Sequence, residues 1–248
     1  PDHLEALLAR PVEDPPLPSP LFPAPRLVVT EGVFSMDGDL SPLDRIIPLA
    51  RRFGASIMVD DAHGTGVLGE GGRGTASHFG VDPLIDVKMG TLGKALGAFG
   101  AYVCGSHALI DYLINACRSF IYTTGLPPPV AAAAREALRI VETEPERIAR
   151  LHRNIAFFRE GLRSISFDVP QDATPIIPVI VGDTDRAMRL AEDLLERGVF
   201  ARAIRPPTVP EGTARVRATV SAAHEDVHLE RALDAFAAAA VSSVGPPR

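Results

Sequence analysis

Short apolar or β-branched runs separated by amphipathic or turn-forming stretches constrain this chain more than any other feature. RLVVT (26–30), ASIMVDD (55–61), VDPLIDVKMGT (81–91) and AFGAYVCG (98–105) read as strands. Between the first two, Ser41-Pro42 opens an amphipathic helix through RIIPLARRF that stops at Gly54, and Ser106 caps a helix through LIDYLINACRSF. Strands that alternate with helices predict an α/β fold with a mostly parallel sheet. After IYTTGLPPP the pattern changes to two long helices, VAAAAREALRIVETE and PERIARLHRNIAFFREGLRSI. A compact α/β unit follows: a strand in TPIIPVIVG, a helix in DRAMRLAEDLLERG, strands in VFARAIR and ARVRATVS, and a last helix in EDVHLERALDAFAAAA. These changes place a domain boundary near residue 145, giving parts 1–145 and 146–248. The proline-rich stretch 11–25 reads as an irregular connection and the tail 242–248 as frayed.

Composition narrows the function classes. The 248 residues are 46% hydrophobic and 23% charged, enough apolar material for a substantial core. A net charge of −6 without a dense basic patch argues against nucleic acid, and an anionic ligand would need local arginines. No apolar run approaches the roughly 18 residues of a spanning helix, and the first residues lack the order of a signal peptide, so the cytoplasm is the expected location. Cys104 and Cys117 are too few for a zinc ribbon or a disulfide framework. The chain starts at Pro1, which leaves open processing or a missing upstream part.

Three motifs invite familiar chemistry. Gly64–Gly69, GTGVLG, matches the dinucleotide fingerprint after a strand, but the glycine-rich EGGRG behind it opposes the helix that such a site requires. His224–His228, HEDVH, has the spacing of a zinc protease site, yet it falls at the first turn of the last helix, where two solvated histidines at a helix start are the plainer account. Gly93-Lys94 is no phosphate loop, because Ala95 stands at the Ser/Thr position and Lys88 at the first glycine.

Lys94 itself stands in MGTLGKALG, with Asp111 the next charged residue downstream. That setting predicts a partly buried amine with a lowered pKa, as a Schiff-base nucleophile requires; a lysine snorkelling from a glycine-rich turn is the alternative. An aldehyde cofactor with a pyridine ring and a phosphate would use the residues around it. Asp60, at the end of SIMVDD, would face the ring nitrogen, and His63 its phenolic oxygen. Ser35 would reach the same sheet edge from the neighbouring strand, and Thr91 would offer a hydroxyl and an N–H to phosphate. Taken singly, Asp60 or Asp61 and Ser35 also fit turns, His63 a satisfied core position, and Thr91 an ordinary strand.

EGVFSMDGDLSPL, VDDAHGTGVLGEGGRG, GTLGKALGAFGAYVCG and IYTTGLPPP resemble the successive motifs of the α-oxoamine synthases, fold-type I enzymes that use pyridoxal phosphate, and the likeness runs over the whole chain. The resemblance implies catalytic roles for Lys94, His63 and Asp60, cofactor contacts at Ser35 and Thr91, and a phosphate contact from Thr123 and Thr124 across a homodimer interface. It makes 1–145 the C-terminal part of the cofactor-binding domain and 146–248 the small domain. AIRPPTVPEGTARVRATVSAAHE resembles the branch that condenses L-alanine with a pimeloyl thioester, on coenzyme A or a carrier protein, in biotin synthesis. There Thr208 would touch substrate and Arg217 hold the amino-acid carboxylate, with Arg205 a second anion partner. Other branches that join an amino acid to an acyl thioester remain alternatives. Members of the family carry a further N-terminal portion with a side chain that stacks on the cofactor, so this chain is expected to be a fragment, or a truncated relative that binds a partner without catalysis.

Overall fold

The computed structural model describes residues 1–10 and 25–243, so the predicted connection at 11–24 and the end of the tail, 244–248, lie outside the described residues. The chain divides into two compact units, 1–33 with 40–143, and 34–39 with 144–248.

In the first unit, helix α1 (Asp2–Leu8) precedes strand β1 (Leu27–Glu31), helix α2 (Leu43–Arg52) and strand β2 (Ser56–Asp60). Helix α3 (Thr75–His78), strands β3 (Val87–Thr91) and β4 (Ala101–Gly105), and helices α4 (His107–Ala116), α5 (Arg118–Ile121) and α6 (Pro128–Thr143) complete it. The sheet has the order β1-β2-β3-β4; the first three strands are parallel and β4 is antiparallel. The short turn around Lys94 explains the reversal, since parallel neighbours need a long crossover. One sheet face is packed: Val28, Ile57 and Val59 bury against Leu43, Ile47 and Ala50 of α2, and Leu8 of α1 joins them. On the other face Leu27, Val29 and Val103 are exposed.

Two features depart from the periodicity. The run LIDYLINACRSF breaks into α4 and α5 where Cys117 takes an extended ψ of 100°. Helix α2 starts after Pro42 without a side-chain cap, because Ser41 is wholly buried and its hydroxyl bonds Thr30 Oγ1 at 3.0 Å instead.

The second unit contains helix α7 (Pro145–Ser164), strand β5 (Ile176–Gly182), helix α8 (Thr184–Glu196), strands β6 (Arg202–Ile204) and β7 (Ala214–Thr219), and helix α9 (Asp226–Ser243). Its sheet, ordered β5-β7-β6, is antiparallel throughout. Pro178 is tolerated because β5 is an edge strand. Phe158 and Phe167 both meet Phe236 edge to face, at centroid distances of 6.0 and 5.6 Å, over a core that includes Leu162, Ile176, Leu190 and Val216.

Arg159 is 4% exposed and reaches the carbonyls of Pro170, Thr174 (3.1 Å) and Ile176 (3.0 Å). Its removal takes a charged donor from three carbonyls, of which Pro170 O keeps Arg163 and Ile176 O keeps Thr174 Oγ1, and opens a cavity, so Arg159→Ala is expected to destabilise the protein by about 2–4 kcal/mol, read as a shift of the urea midpoint.

Candidate active site

Parallel strands deliver their ends to one edge of a sheet, which is where an open α/β fold binds ligands. Asp60 ends β2 and Thr91 ends β3. Register places Asp60 opposite Met89, and Thr91 lies two residues beyond Met89, so Asp60 and Thr91 share the face that α2 leaves uncovered. The turn after β3 then closes on itself: Leu92 N–H donates to Gly100 O, Gly97 N–H to Lys94 O and Ala98 N–H to Leu92 O. Lys94 Nζ folds back to donate to Thr91 Oγ1 at 3.2 Å.

Lys94 is exposed, which corrects the expectation of a partly buried amine. The turn sends only Leu96 inward, at 4% exposure, and the lysine outward, although its sequence neighbours are apolar. Position in the turn, not neighbouring composition, decides the burial.

The turn after β2 orients the acid. Asp60 Oδ1 accepts from Ala62 N–H at 3.0 Å, and Asp61 O accepts from Gly64 N–H at 3.1 Å and Thr65 N–H at 3.0 Å. His63 is half-buried inside this turn. Asp61 points to the opposite face and is 8% exposed, its carboxylate bonded to Thr75; burial pushes its pKa up, against the pull of those bonds. Sequence reasoning treated this residue only as a turn former. A cavity of about 800 Å³ is lined by Val59, Asp61, Lys88, Tyr102 and Cys104. It lies on the face of Asp61 and not of Asp60, so it is not where the Asp60 carboxylate points.

Thr123 and Thr124 are exposed in the segment between α5 and α6. Ser35 belongs to the second unit, in the turn 34–39 that Arg215 and Thr174 anchor. Arg215 is 3% exposed and pairs with Asp37, while Thr174 Oγ1 donates to Gly38 O at 2.7 Å.

The arginines of β7 therefore differ in availability. Arg215 is committed to Asp37, whereas Arg217, two residues along, keeps a buried Nε with no hydrogen-bond partner among the described residues. Burial also pushes the Arg217 guanidinium pKa down. Such a group is satisfied by an incoming anion. Thr208 and Arg205 are exposed in the loop after β6, where Thr208 N–H donates to Arg205 O at 3.1 Å and Arg205 reaches Pro206 O at 3.4 Å.

The tempting motifs resolve into local structure. GTGVLG forms turns followed by a 3₁₀ turn (Glu70–Gly72) and the four-residue α3, too short for a dinucleotide-binding helix. His224 precedes α9, so HEDVH does not lie on one helix. His224 Nδ1 accepts from Ser221 N–H at 3.2 Å and His228 Nδ1 from Glu225 N–H at 3.1 Å, which spends one nitrogen of each ring on backbone capping.

The aminotransferase class I and II model matches residues 1–236. The chain belongs to this family. Among curated members, it is 54% identical over 214 residues to 8-amino-7-oxononanoate synthase of Geobacter sulfurreducens, covering 85% of this chain and 54% of that protein. It is 48% identical over 239 residues to a putative 8-amino-7-oxononanoate synthase of Geobacillus kaustophilus, covering 96% and 59%. This aminotransferase-family chain thus spans about half the length of the curated relatives it matches. Among solved structures, serine palmitoyltransferase of Sphingomonas wittichii aligns with a TM-score of 0.90 at 34% identity, over 98% of this chain and 59% of that one. The 8-amino-7-oxononanoate synthase of Francisella tularensis aligns at 0.77 and 32%, over 88% and 63%. A serine palmitoyltransferase structure with a pyridoxal phosphate internal aldimine gives 0.90 at 32%, over 98% and 59%. The chain has the fold-type I α/β fold of these transferases.

Proposed function

We propose that this chain is part of an 8-amino-7-oxononanoate synthase, which condenses L-alanine with a pimeloyl thioester in biotin synthesis with loss of carbon dioxide. The observation that carries the reading is the edge where an exposed Lys94 amine bonds the Thr91 hydroxyl, on the sheet face that also bears the Asp60 carboxylate. Identities of about half to curated relatives of that name support this branch.

The side chains fit pyridoxal phosphate. Lys94 offers a primary amine for covalent attachment, Asp60 an oriented carboxylate for the ring nitrogen, His63 a donor for the ring oxygen, and Thr91 a hydroxyl for the phosphate. Ser35 would contact the ring oxygen, and Thr123 and Thr124 would hold phosphate from across a dimer interface. Bound pyridoxal phosphate supplies an electron sink for charge developing at the amino-acid Cα. Lys94 takes the proton from that carbon and later returns one to the product. Asp60 keeps the ring nitrogen protonated. Arg217 binds the amino-acid carboxylate, with Arg205 as a second anion contact and Thr208 as a further substrate contact. An acyl carrier protein or coenzyme A would present the thioester.

A homodimer accords with the exposed Phe99, Tyr112, Phe120 and Tyr122, a concentration of aromatic surface rare on a lone subunit. No helix among the described residues is long and apolar enough to cross a membrane, and a cytoplasmic location is the proposed one.

The test is turnover by the full-length protein with alanine or glycine and pimeloyl, acetyl, succinyl or palmitoyl thioesters. Preference for alanine with pimeloyl supports the assignment; preference for glycine with acetyl overturns it while leaving the family. Within the reaction, Arg217→Ala is expected to raise KM for alanine by about tenfold or more, the value of a charged hydrogen bond. An unchanged KM would move the carboxylate site elsewhere.

A further inference from the structure

Asp61 is the buried acid that the proposed reaction does not use. Its backbone N–H donates to Met89 O at 2.7 Å, and its carbonyl takes the Gly64 and Thr65 N–H groups, so its main chain ties β2 to β3 and forms the turn that holds His63. Its carboxylate accepts two bonds from one residue: Thr75 N–H at 2.8 Å and Thr75 Oγ1 at 2.5 Å. Thr75 is wholly buried. One acid therefore grips both ends of the loop Ala62–Gly74, the first through its carbonyl and the second through its carboxylate.

The carboxylate is enclosed by three glycines, one after β1 and one near each end of this loop. A Cβ on Gly32, Gly64 or Gly74 would overlap an Asp61 carboxylate oxygen, and on Gly32 or Gly64 also the Thr75 hydroxyl. Gly74 further adopts a φ of +102°, in the region that favours glycine. Such close enclosure leaves the carboxylate one position. The loop is pinned again where Thr65 Oγ1 meets Tyr102 OH of β4 at 2.8 Å, and where Gly74 N–H donates to Leu68 O at 2.8 Å. The charged groups facing Asp61 are Lys88 of β3 and Asp82 of the 3₁₀ turn Asp82–Leu84.

This enclosure touches the cofactor face through the main chain. The Ala62 N–H that orients Asp60 belongs to the residue after Asp61, and His63 follows it. We propose that Asp61 is a positioning residue: by gripping Thr75 in a glycine enclosure, its carboxylate sets the turn that aims Asp60 and His63 at the cofactor. The inference rests on the pyridoxal phosphate reading above.

The test uses the full-length protein with Thr75→Val, which keeps the shape and removes the hydroxyl, Thr75→Ser, which restores it, and Asp61→Asn. In protein free of cofactor, amide exchange at 62–66 is expected to accelerate about tenfold in Thr75→Val, the scale of a lost hydrogen bond to a charged group. After addition of pyridoxal phosphate, the pH midpoint of its near-visible absorbance is expected to shift. kcat should fall about tenfold with KM for alanine unchanged. Thr75→Ser should return all three to wild type, and Asp61→Asn should resemble Thr75→Val. A variant that melts at lower temperature yet keeps the wild-type exchange rates, absorbance midpoint and kcat would reduce Asp61 to a scaffold residue and sink this proposal alone. A wild-type protein that develops no absorbance band with the cofactor would sink the functional reading and this proposal with it.

Discussion

Replacing Lys94 by alanine in the full-length protein is expected to lower the condensation rate by about three orders of magnitude or more, since a group that moves protons at the reacting carbon contributes on that scale. The side chain is exposed and makes one hydrogen bond in the structure, to Thr91 Oγ1, so its loss removes no buried packing. The thermal midpoint should stay at the wild-type value while the band of covalently held cofactor disappears. A small primary amine added to the solution should restore part of the rate, because the missing group is a base and not a structural support. Retention of wild-type rate by Lys94→Ala would overturn the mechanism outright.

The second large effect is at Asp60. Asn at this position keeps an oxygen for the Ala62 N–H but cannot hold a proton on the ring nitrogen, so kcat is expected to fall by about two orders of magnitude, typical of removing one electrostatic contact to developing charge. KM for alanine should stay unchanged, because the proposed carboxylate partner, Arg217, is a separate residue. Isolated loss of alanine binding with an unchanged kcat would place Asp60 in substrate recognition instead.

The positions of the proposed site were legible as spacing, and their roles as a resemblance. The strand end at Asp60, the histidine three residues on and the lysine three residues past Thr91 follow from strand periodicity and turn chemistry, both local properties. The burial of Lys94 was not legible, because a glycine-rich turn aims each side chain by its backbone angles, and apolar neighbours on one chain segment do not say which way it faces. Asp61 was hidden for a different reason. Its partner Thr75 lies beyond a glycine-rich loop, and its enclosure includes Gly32 from the segment after β1. Arg215 and Arg217 show the same limit: they are equivalent in the strand pattern, and only the buried contact of Arg215 with Asp37 shows which is committed and which retains an unpaired Nε.

Hydrophobic alternation, caps and turn residues act over a few neighbouring positions, so they suffice to indicate an α/β fold with a lysine and an acid near strand ends, while the enzyme class was suggested by the resemblance of whole motifs. Burial, charge pairing and the enclosure of Asp61 depend on residues far apart in the chain, which come together only when the sheets and helices pack. Packing is therefore what made a turn-forming aspartate the tie between two strands and a loop, whereas the exposure of Lys94 was set by the backbone of its own turn.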